Sequence, residues 1–178
     1  MIAWYGRLPL FASAFRLYFQ PAGNMLYDLL CAAMIRLLGP MLAERFLLTA
    51  YIVLWPLAVW YAVKPLSRHP LPIAVGALPL ACNYFFNMGF WPYCYGVVFA
   101  LFAFGAYLRS RRGEISAIWF VVLALATFFF HVVAFGWLAL TVLLLAAREV
   151  LGARQSAVRT GRSLRPLLLL GKVKFGGS

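Results

Sequence analysis

An apolar run without a single charged side chain extends from Ile115 to Ala147 and constrains the fold more than any other feature of this chain. Its 33 residues contain one ionisable side chain, that of His131. As a single helix the run would be about 50 Å long, whereas the hydrocarbon core of a bilayer is about 30 Å thick. The run therefore predicts a polytopic membrane protein in which this segment forms a hairpin of two short helices, with its bend near residues 131–136.

The overall composition favours membrane insertion and excludes an ordinary water-soluble domain. Hydrophobic residues make up 65% of the sequence and charged residues 11%, against about 45–50% and about 25% in soluble domains. The formal net charge of +12 favours basic cytoplasmic loops over a nucleic-acid surface, so no nucleic-acid partner is predicted. The three cysteines are too far apart for a CxxC pair and are interpreted as small apolar residues: Cys31, Cys82 and Cys94.

Charged residues divide the chain into uncharged blocks, and the block lengths predict about five membrane crossings. A break is expected in the long block from Pro70 to Leu108, at the turn-forming Asn87-Met88-Gly89. The predicted crossings cover 46–63, 70–86, 89–108, 115–131 and 133–147. The predicted fold is an all-α transmembrane helix bundle over 46–147, with an external segment before it (1–45) and a basic tail after it (148–178).

Aromatic and basic residues predict the orientation of this bundle. Aromatic side chains surround both predicted bends, as in the belts at membrane surfaces, so both bends are expected at one surface. Basic residues occupy the loops at the other surface and the tail, which predicts a cytoplasmic carboxyl terminus in contact with anionic lipids. The amino terminus is then external. Because its four arginines would be translocated without a preceding apolar segment, an upstream transmembrane helix is predicted to be missing.

The external segment contains a predicted amphipathic helix over about 24–38. Asn24 can cap its start, and Gly39-Pro40 can end it. Asp28 and Arg36 fall on one polar or small strip, opposite an apolar face. Two interpretations stay open, because these side chains could face an external cleft or simply form the polar face of a helix on the membrane surface.

Three further polar residues lie at the predicted outer bends. Asn83 and Asn87, one helical turn apart, are candidates either for ligand binding or for capping and cross-linking helices. His131 is a functional candidate because ionisable residues inside membranes usually serve a function, although water at a bend would solvate it cheaply. Together with Asp28 and Arg36, these residues are predicted to form an external polar pocket beneath the amphipathic helix.

The sequence contains no motif for known catalytic or metal chemistry. It lacks the spacings of nucleotide-binding loops, serine hydrolases, zinc proteases and Cys/His clusters. It also lacks the adjacent acidic residues that metal-dependent sugar transfer requires. No catalytic residue, metal ligand or cofactor is therefore predicted.

Several short groups of residues occur in a suggestive order across about residues 17–148. They are Asn24-x-Leu26-Tyr27-Asp28, Leu38-Gly39-Pro40, Ala43-Glu44-Arg45, Asn87-x-Gly89-Phe90, Arg109 to Arg112 and Phe129-Phe130-His131. This order resembles bacterial membrane glycosyltransferases of the GT-C type. The resemblance implies the bacterial inner membrane as location, and a polyprenyl-phosphate-linked sugar as substrate.

The resemblance transfers no catalytic residue to this chain. In that family the catalytic acid typically lies in the first external loop, just after the first transmembrane helix, and neither that helix nor the usual acids occur here. The leading hypothesis is therefore a glycosyltransferase-like fragment without activity of its own. The competing hypotheses are a non-enzymatic membrane scaffold and a piece of a transporter.

Overall fold

The computed structural model describes residues 24–159, and every regular element within that range is helical. The α-helices are α1 (Met25–Leu38), α2 (Pro40–Val63), α3 (Pro70–Gly76), α4 (Tyr84–Asn87), α5 (Trp91–Arg111), α6 (Ala117–Phe130) and α7 (Val132–Arg159). A 3₁₀ helix, Leu78–Cys82, lies between α3 and α4. The predicted all-helical bundle is thus confirmed. The predicted external segment before residue 24 and the predicted tail after residue 159 lie outside the described residues.

Three helices are long and apolar enough to cross a membrane: Pro40–Val63, Trp91–Arg111 and Val132–Gly152. Two shorter apolar helical segments, Pro70–Cys82 and Ala117–Phe130, accompany them. The chain is therefore an integral membrane protein by the length and composition of its helices.

The segment predicted as one helix over 70–86 consists instead of α3, the 3₁₀ helix and α4. Pro79 lacks the amide hydrogen that a continuous helix needs, and Asn83 has an extended backbone, with ψ at 178°. Two backbone carbonyls of this broken segment accept hydrogen bonds from side chains on α2. Trp55 Nε1 donates to the Ala77 carbonyl at 2.9 Å, and the Tyr51 hydroxyl donates to the Ala81 carbonyl at 3.0 Å. A broken helix is tolerated in an apolar setting because a neighbouring helix satisfies its backbone.

Helices α2 and α5 pack most closely near Gly105. A Cβ atom at this position would lie 2.6 Å from Cδ1 of Tyr61, so only glycine fits between the two helices. Arg109, one turn further along α5, donates from Nη1 to the carbonyl of Tyr61 at 3.0 Å and stacks its guanidinium 3.7 Å from the centre of the Tyr61 ring. This contact holds the carboxyl-terminal ends of α2 and α5 together.

The opposite end of the bundle is aromatic. Tyr95 donates its hydroxyl to the Leu47 carbonyl at 2.7 Å, and its ring lies 5.8 Å from that of Phe130 at the end of α6. The ring of Tyr93 lies 5.2 Å from that of His131, which separates α6 from α7. The aromatic segments around Asn87 and around His131 therefore meet at this end.

The chain divides into two compact units, whose described parts are residues 24–139 and 140–159. In the first unit, α1, α2, α5 and α6 enclose the buried core. In the second unit the described residues, 140–159, continue α7 as a single helix, and its large apolar side chains such as Leu143 and Leu144 are exposed. Exposed leucines on a helix of this kind suit contact with lipid.

Candidate functional site

A cavity of about 320 Å³ lies where α1 meets the amino-terminal ends of α2 and α5. Three helices line it, with Tyr27, Cys31 and Ile35 from α1, Pro40, Glu44 and Leu47 from α2, and Trp91 from α5. The three α1 residues are spaced four apart, which places them on one face of that helix. The cavity thus depends on α1 packing across the ends of two apolar helices.

Helix α1 is positioned by its apolar face and by the turn that follows it. Leu26, Leu30 and Met34 pack against the buried core of the first unit. Gly39 ends the helix with φ at +78°, and its amide donates to the Ile35 carbonyl at 2.9 Å. Positive φ favours glycine, and Pro40 then begins α2 without needing an amide hydrogen bond. This short connection keeps Ile35, Pro40 and Glu44 around the same cavity.

The cavity combines mostly apolar walls with one carboxylate. Burial raises the pKa of the Tyr27 phenol, so this side chain stays protonated at physiological pH. Burial also raises the pKa of the Cys31 thiol, and the carboxylates of Asp28 and Glu44 raise it further. A neutral thiol is a poor nucleophile. The polar groups of Glu44 and Tyr27 can therefore form hydrogen bonds at the walls of the cavity.

The five residues predicted for the external pocket do not line this cavity. Asp28 and Arg36 lie on the exposed face of α1, while the face carrying Tyr27 and Cys31 turns inward. Partial desolvation raises the pKa of the Asp28 carboxyl. Asp28 and Arg36 have the spacing of the predicted polar strip, and both side chains are exposed.

Asn83 and Asn87 make local hydrogen bonds at the bend before α5. Asn83 Oδ1 accepts from the amide of Phe86 at 3.0 Å and caps the short helix α4. Asn87 Nδ2 donates to the carbonyl of Asn83 at 3.0 Å. These contacts stabilise the turn itself.

His131 lies at the same end of the bundle, at the junction of α6 and α7. Its Nδ1 accepts from the amide of Val133 at 3.2 Å, which caps the start of α7. The residue packs against Gly96, where an added Cβ would lie 3.0 Å from the Cβ of His131. Burial lowers the pKa of the imidazole, so the neutral form that accepts this hydrogen bond is favoured.

Sequence reasoning missed the residues that line the cavity. Glu44 carried the most accessible signal, because it is one of four acidic residues in the chain and precedes a long apolar helix. Tyr27, Cys31 and Ile35 also recur at helical spacing, although apolar positions at that spacing usually indicate packing. Nothing in the sequence marked Trp91 as a lining residue, because it was only one of the aromatic residues around the predicted bend at Asn87.

No metal site is found in the described part of the chain, since no group of three or more His, Cys, Asp or Glu side chains between residues 24 and 159 is placed to hold an ion. Comparisons with protein-family models, curated proteins and solved structures find no match to this chain. The resemblance to GT-C-type glycosyltransferases therefore stays a prediction from sequence.

Proposed function

We propose that this membrane protein binds a polyprenyl-phosphate-linked sugar at the cavity between α1, α2 and α5, and that it is glycosyltransferase-like without transferring the sugar on its own. The observation that carries the proposal is the cavity lining, in which the carboxylate of Glu44 accompanies the rings of Tyr27 and Trp91 at the end of an apolar bundle. Ligand sites usually combine apolar walls with a small number of polar groups that orient the ligand, and this cavity has both.

Each part of the ligand has a matching surface. Sugar hydroxyls would donate hydrogen bonds to the Glu44 carboxylate, and a charged acceptor makes the stronger kind of hydrogen bond. The apolar faces of Tyr27 and Trp91 would pack against the sugar ring. Arg45, exposed directly after Glu44, would meet the phosphate, for which the planar guanidinium is well suited. The polyprenyl chain would stay in the bilayer beside the exposed Phe46 and Val53 of α2.

The same lining argues for binding without turnover. Transfer of a sugar requires a base for the acceptor hydroxyl as well as stabilisation of the departing phosphate. Among the described lining residues Glu44 is the one carboxylate, and in this proposal it is occupied by hydroxyls of the bound sugar, while Asp28 lies on the exposed face of α1. We therefore propose that any acceptor-activating group comes from elsewhere than these described residues.

Binding of a synthetic polyprenyl-phosphate-linked sugar to the full chain in lipid nanodiscs tests this proposal by native mass spectrometry. Cys31→Trp fills the cavity, and Glu44→Gln removes the charge while keeping the shape. We expect each variant to weaken binding by about tenfold or more, which corresponds to about 1.4 kcal/mol.

Two matched variants serve as controls for this experiment. Cys82→Trp makes the same substitution at an exposed cysteine outside the cavity lining, and Glu114→Gln removes an exposed carboxylate in the α5–α6 loop. Both should bind like the parent. Equal losses in the control and cavity variants, or no binding by the parent, would contradict the proposal.

The proposed location is the bacterial inner membrane, with the cavity end outside and the α5–α6 loop in the cytoplasm. Basic residues at this end support the orientation. Arg109 and Arg111 lie in the last turn of α5, Arg112 directly follows them, and Lys64 and Arg68 lie in the α2–α3 loop. Reporter fusions after Arg112 should indicate cytoplasm, and fusions at Asn87 should indicate the outside. The reverse pattern would contradict the orientation while leaving the binding experiment unaffected.

A non-enzymatic membrane scaffold is the second candidate function. The candidate span Val132–Gly152 is 11% buried, whereas Trp91–Arg111 is 39% buried, so α7 has most of its surface available to other helices. A photo-crosslinking residue at Leu143 tests this alternative in cells. Adducts with one membrane protein, combined with no binding of the lipid-linked sugar, would favour the scaffold.

A further inference from the structure

The corner between α1 and α2 carries large apolar side chains that are exposed. They are Leu37, Leu38, Met41, Leu42 and Phe46, and the exposed fractions of Leu37 and Met41 reach 75% and 71%. A cluster of exposed apolar side chains of this kind is unfavourable in water and indicates an interaction surface. This cluster is called the corner patch below.

The corner patch is continuous with the lipid-facing side of α2. Leu42, Phe46, Thr49, Val53 and Leu57 follow each other at spacings of three or four and are all exposed. The opposite side of α2 is buried, at Ala43, Leu47, Tyr51, Trp55, Ala58 and Ala62. Since α2 is long and apolar enough to cross a membrane, its exposed stripe faces lipid, and the corner patch extends that stripe past the start of the helix.

Two arginines flank the corner patch. Arg36 lies in the last turn of α1, Arg45 lies in the second turn of α2, and both are exposed. Within residues 24–159, neither guanidinium has an ion-pair partner. A guanidinium donates hydrogen bonds in a planar fork that fits phosphate oxygens. Apolar side chains between two arginines match the layered chemistry of a membrane surface, with acyl chains below and phosphates above.

The turn itself permits this placement. Gly39 has φ at +78°, and an added Cβ there would meet no atom within 4 Å, so the turn projects into open space. The inner face of α1 is meanwhile held against the bundle by Leu26, Leu30 and Met34. Helix α1 is thus anchored on one side, while its carboxyl-terminal end remains uncovered.

We propose that the α1–α2 corner inserts into the lipid–water interface, where Arg36 and Arg45 bind the phosphates of anionic phospholipids. The partner is a lipid surface, because the patch continues the exposed stripe of α2, which is long and apolar enough to cross a membrane, and is flanked by cations. None of the five corner-patch residues lines the cavity. Arg45 would also meet the phosphate of a lipid-linked sugar, so both arginines bind phospholipids when no such sugar is present. The effect of the insertion would be to set the depth of α2 in the bilayer and to keep the cavity mouth at the interface.

A photo-crosslinking residue introduced at Met41 tests the insertion in the full chain reconstituted in nanodiscs. We expect phospholipid adducts at Met41, identified by mass spectrometry, at a yield similar to that at Val53 in the middle of α2. The same residue at Glu114, in an exposed loop, should give a much lower yield. Yields at Met41 as low as those at Glu114 would overturn the insertion, as would adducts with a second protein chain in place of lipid.

The role of the arginines is tested by lipid competition in mixed nanodiscs of phosphatidylglycerol and phosphatidylcholine. In the parent we expect anionic lipid to be enriched about fivefold or more among the Met41 adducts. Arg36→Gln combined with Arg45→Gln should remove this enrichment while leaving total lipid adducts in place. Lys64→Gln combined with Arg68→Gln removes two charges at the other end of α2 and should preserve it. Enrichment that survives loss of both corner arginines would overturn their assignment.

Discussion

At the two ends of the bundle, different side chains donate hydrogen bonds to backbone carbonyls. At the aromatic end, the hydroxyls of Tyr51 and Tyr95 donate to the carbonyls of Ala81 and Leu47. At the basic end, Arg109 donates to the carbonyl of Tyr61, and Arg112 donates to that of Pro65. Uncharged donors can be fully buried, whereas a guanidinium needs water or headgroups nearby, so the type of donor follows the burial of each contact.

This difference has an energetic consequence. Tyr51 and Tyr95 are 0% and 3% exposed, so a hydrogen bond lost with either hydroxyl is not replaced by one to water. Arg112 is exposed, and its ion pair with Glu114 spans 3.8 Å between two exposed side chains. Contacts of that kind contribute little to stability. The aromatic end should therefore tolerate substitution less well than the charged loop at the basic end.

The largest effect is expected where the basic end is tightly packed. Gly105→Val places side-chain atoms against the Tyr61 ring, where even a Cβ would lie 2.6 Å from Cδ1. We expect destabilisation of about 3 kcal/mol or loss of the folded state, because a packed interior cannot absorb added volume. Thermal unfolding in detergent measures it. Gly136→Val, where an added Cβ meets nothing within 4 Å, should unfold like the parent; similar losses in both variants would contradict the explanation.

The second prediction compares buried with exposed tyrosines. Tyr95→Phe removes the hydroxyl that donates to the Leu47 carbonyl and should lower the free energy of unfolding by about 0.5–1.5 kcal/mol. Tyr84→Phe removes the hydroxyl of an exposed ring and should change it by less than about 0.5 kcal/mol. Steric-trapping measurements in a bilayer mimic would quantify both. If the two variants were equally stable, the buried hydroxyl of Tyr95 would contribute no more to stability than the exposed hydroxyl of Tyr84.

The third prediction concerns Arg109, whose side chain is only partly exposed. Arg109→Gln removes the stacking over Tyr61 and the hydrogen bonds to the carbonyls of Tyr61 and Gly105. We expect a loss of about 1 kcal/mol. Arg109→Lys should recover less than half of it, because an ammonium keeps the charge but not the planar stacking. Full recovery by lysine would show that charge alone holds this end together.

The smallest effect is a pH dependence at the aromatic end. Because burial lowers the pKa of His131 in the folded state, the unfolded state binds the proton first as the pH falls. Neutral His131 therefore contributes to stability above about pH 6.5, the ordinary histidine pKa. This contribution is lost as the pH falls through the lower pKa that His131 has in the folded state. Protonation of Nδ1 would also remove the acceptor for the Val133 amide.

Thermal unfolding between pH 8 and pH 5 checks this dependence. His131→Asn should flatten the pH profile in this range, since asparagine can cap α7 without titrating. His69→Gln, at the exposed histidine before α3, should keep the profile of the parent. If His69→Gln flattened the profile and His131→Asn did not, the pH dependence would not arise from His131 and the prediction would be wrong.

Much of the helical architecture follows from local properties of the sequence. Long apolar runs require helices in a membrane, because each backbone amide must be satisfied within its own segment. Gly39-Pro40 separates α1 from α2, and His131 separates α6 from α7 within the bend expected from the length of the apolar run. Hydropathy and turn-forming residues are local properties of the sequence, so these features could be predicted without knowing which residues are neighbours in space.

The broken segment and the cavity depended on contacts between distant residues. Residues 70–86 form no single helix, because Pro79 has no amide hydrogen to donate. Trp55 and Tyr51 stabilise the broken segment by donating to carbonyls 22 and 30 residues away. The cavity joins the inward face of α1 to Glu44 and Trp91, whereas the sequence pattern had pointed to the exposed face with Asp28 and Arg36. Amphipathicity distinguishes two faces of a helix, but only the packing of α1 on α2 and α5 decided which face borders a cavity.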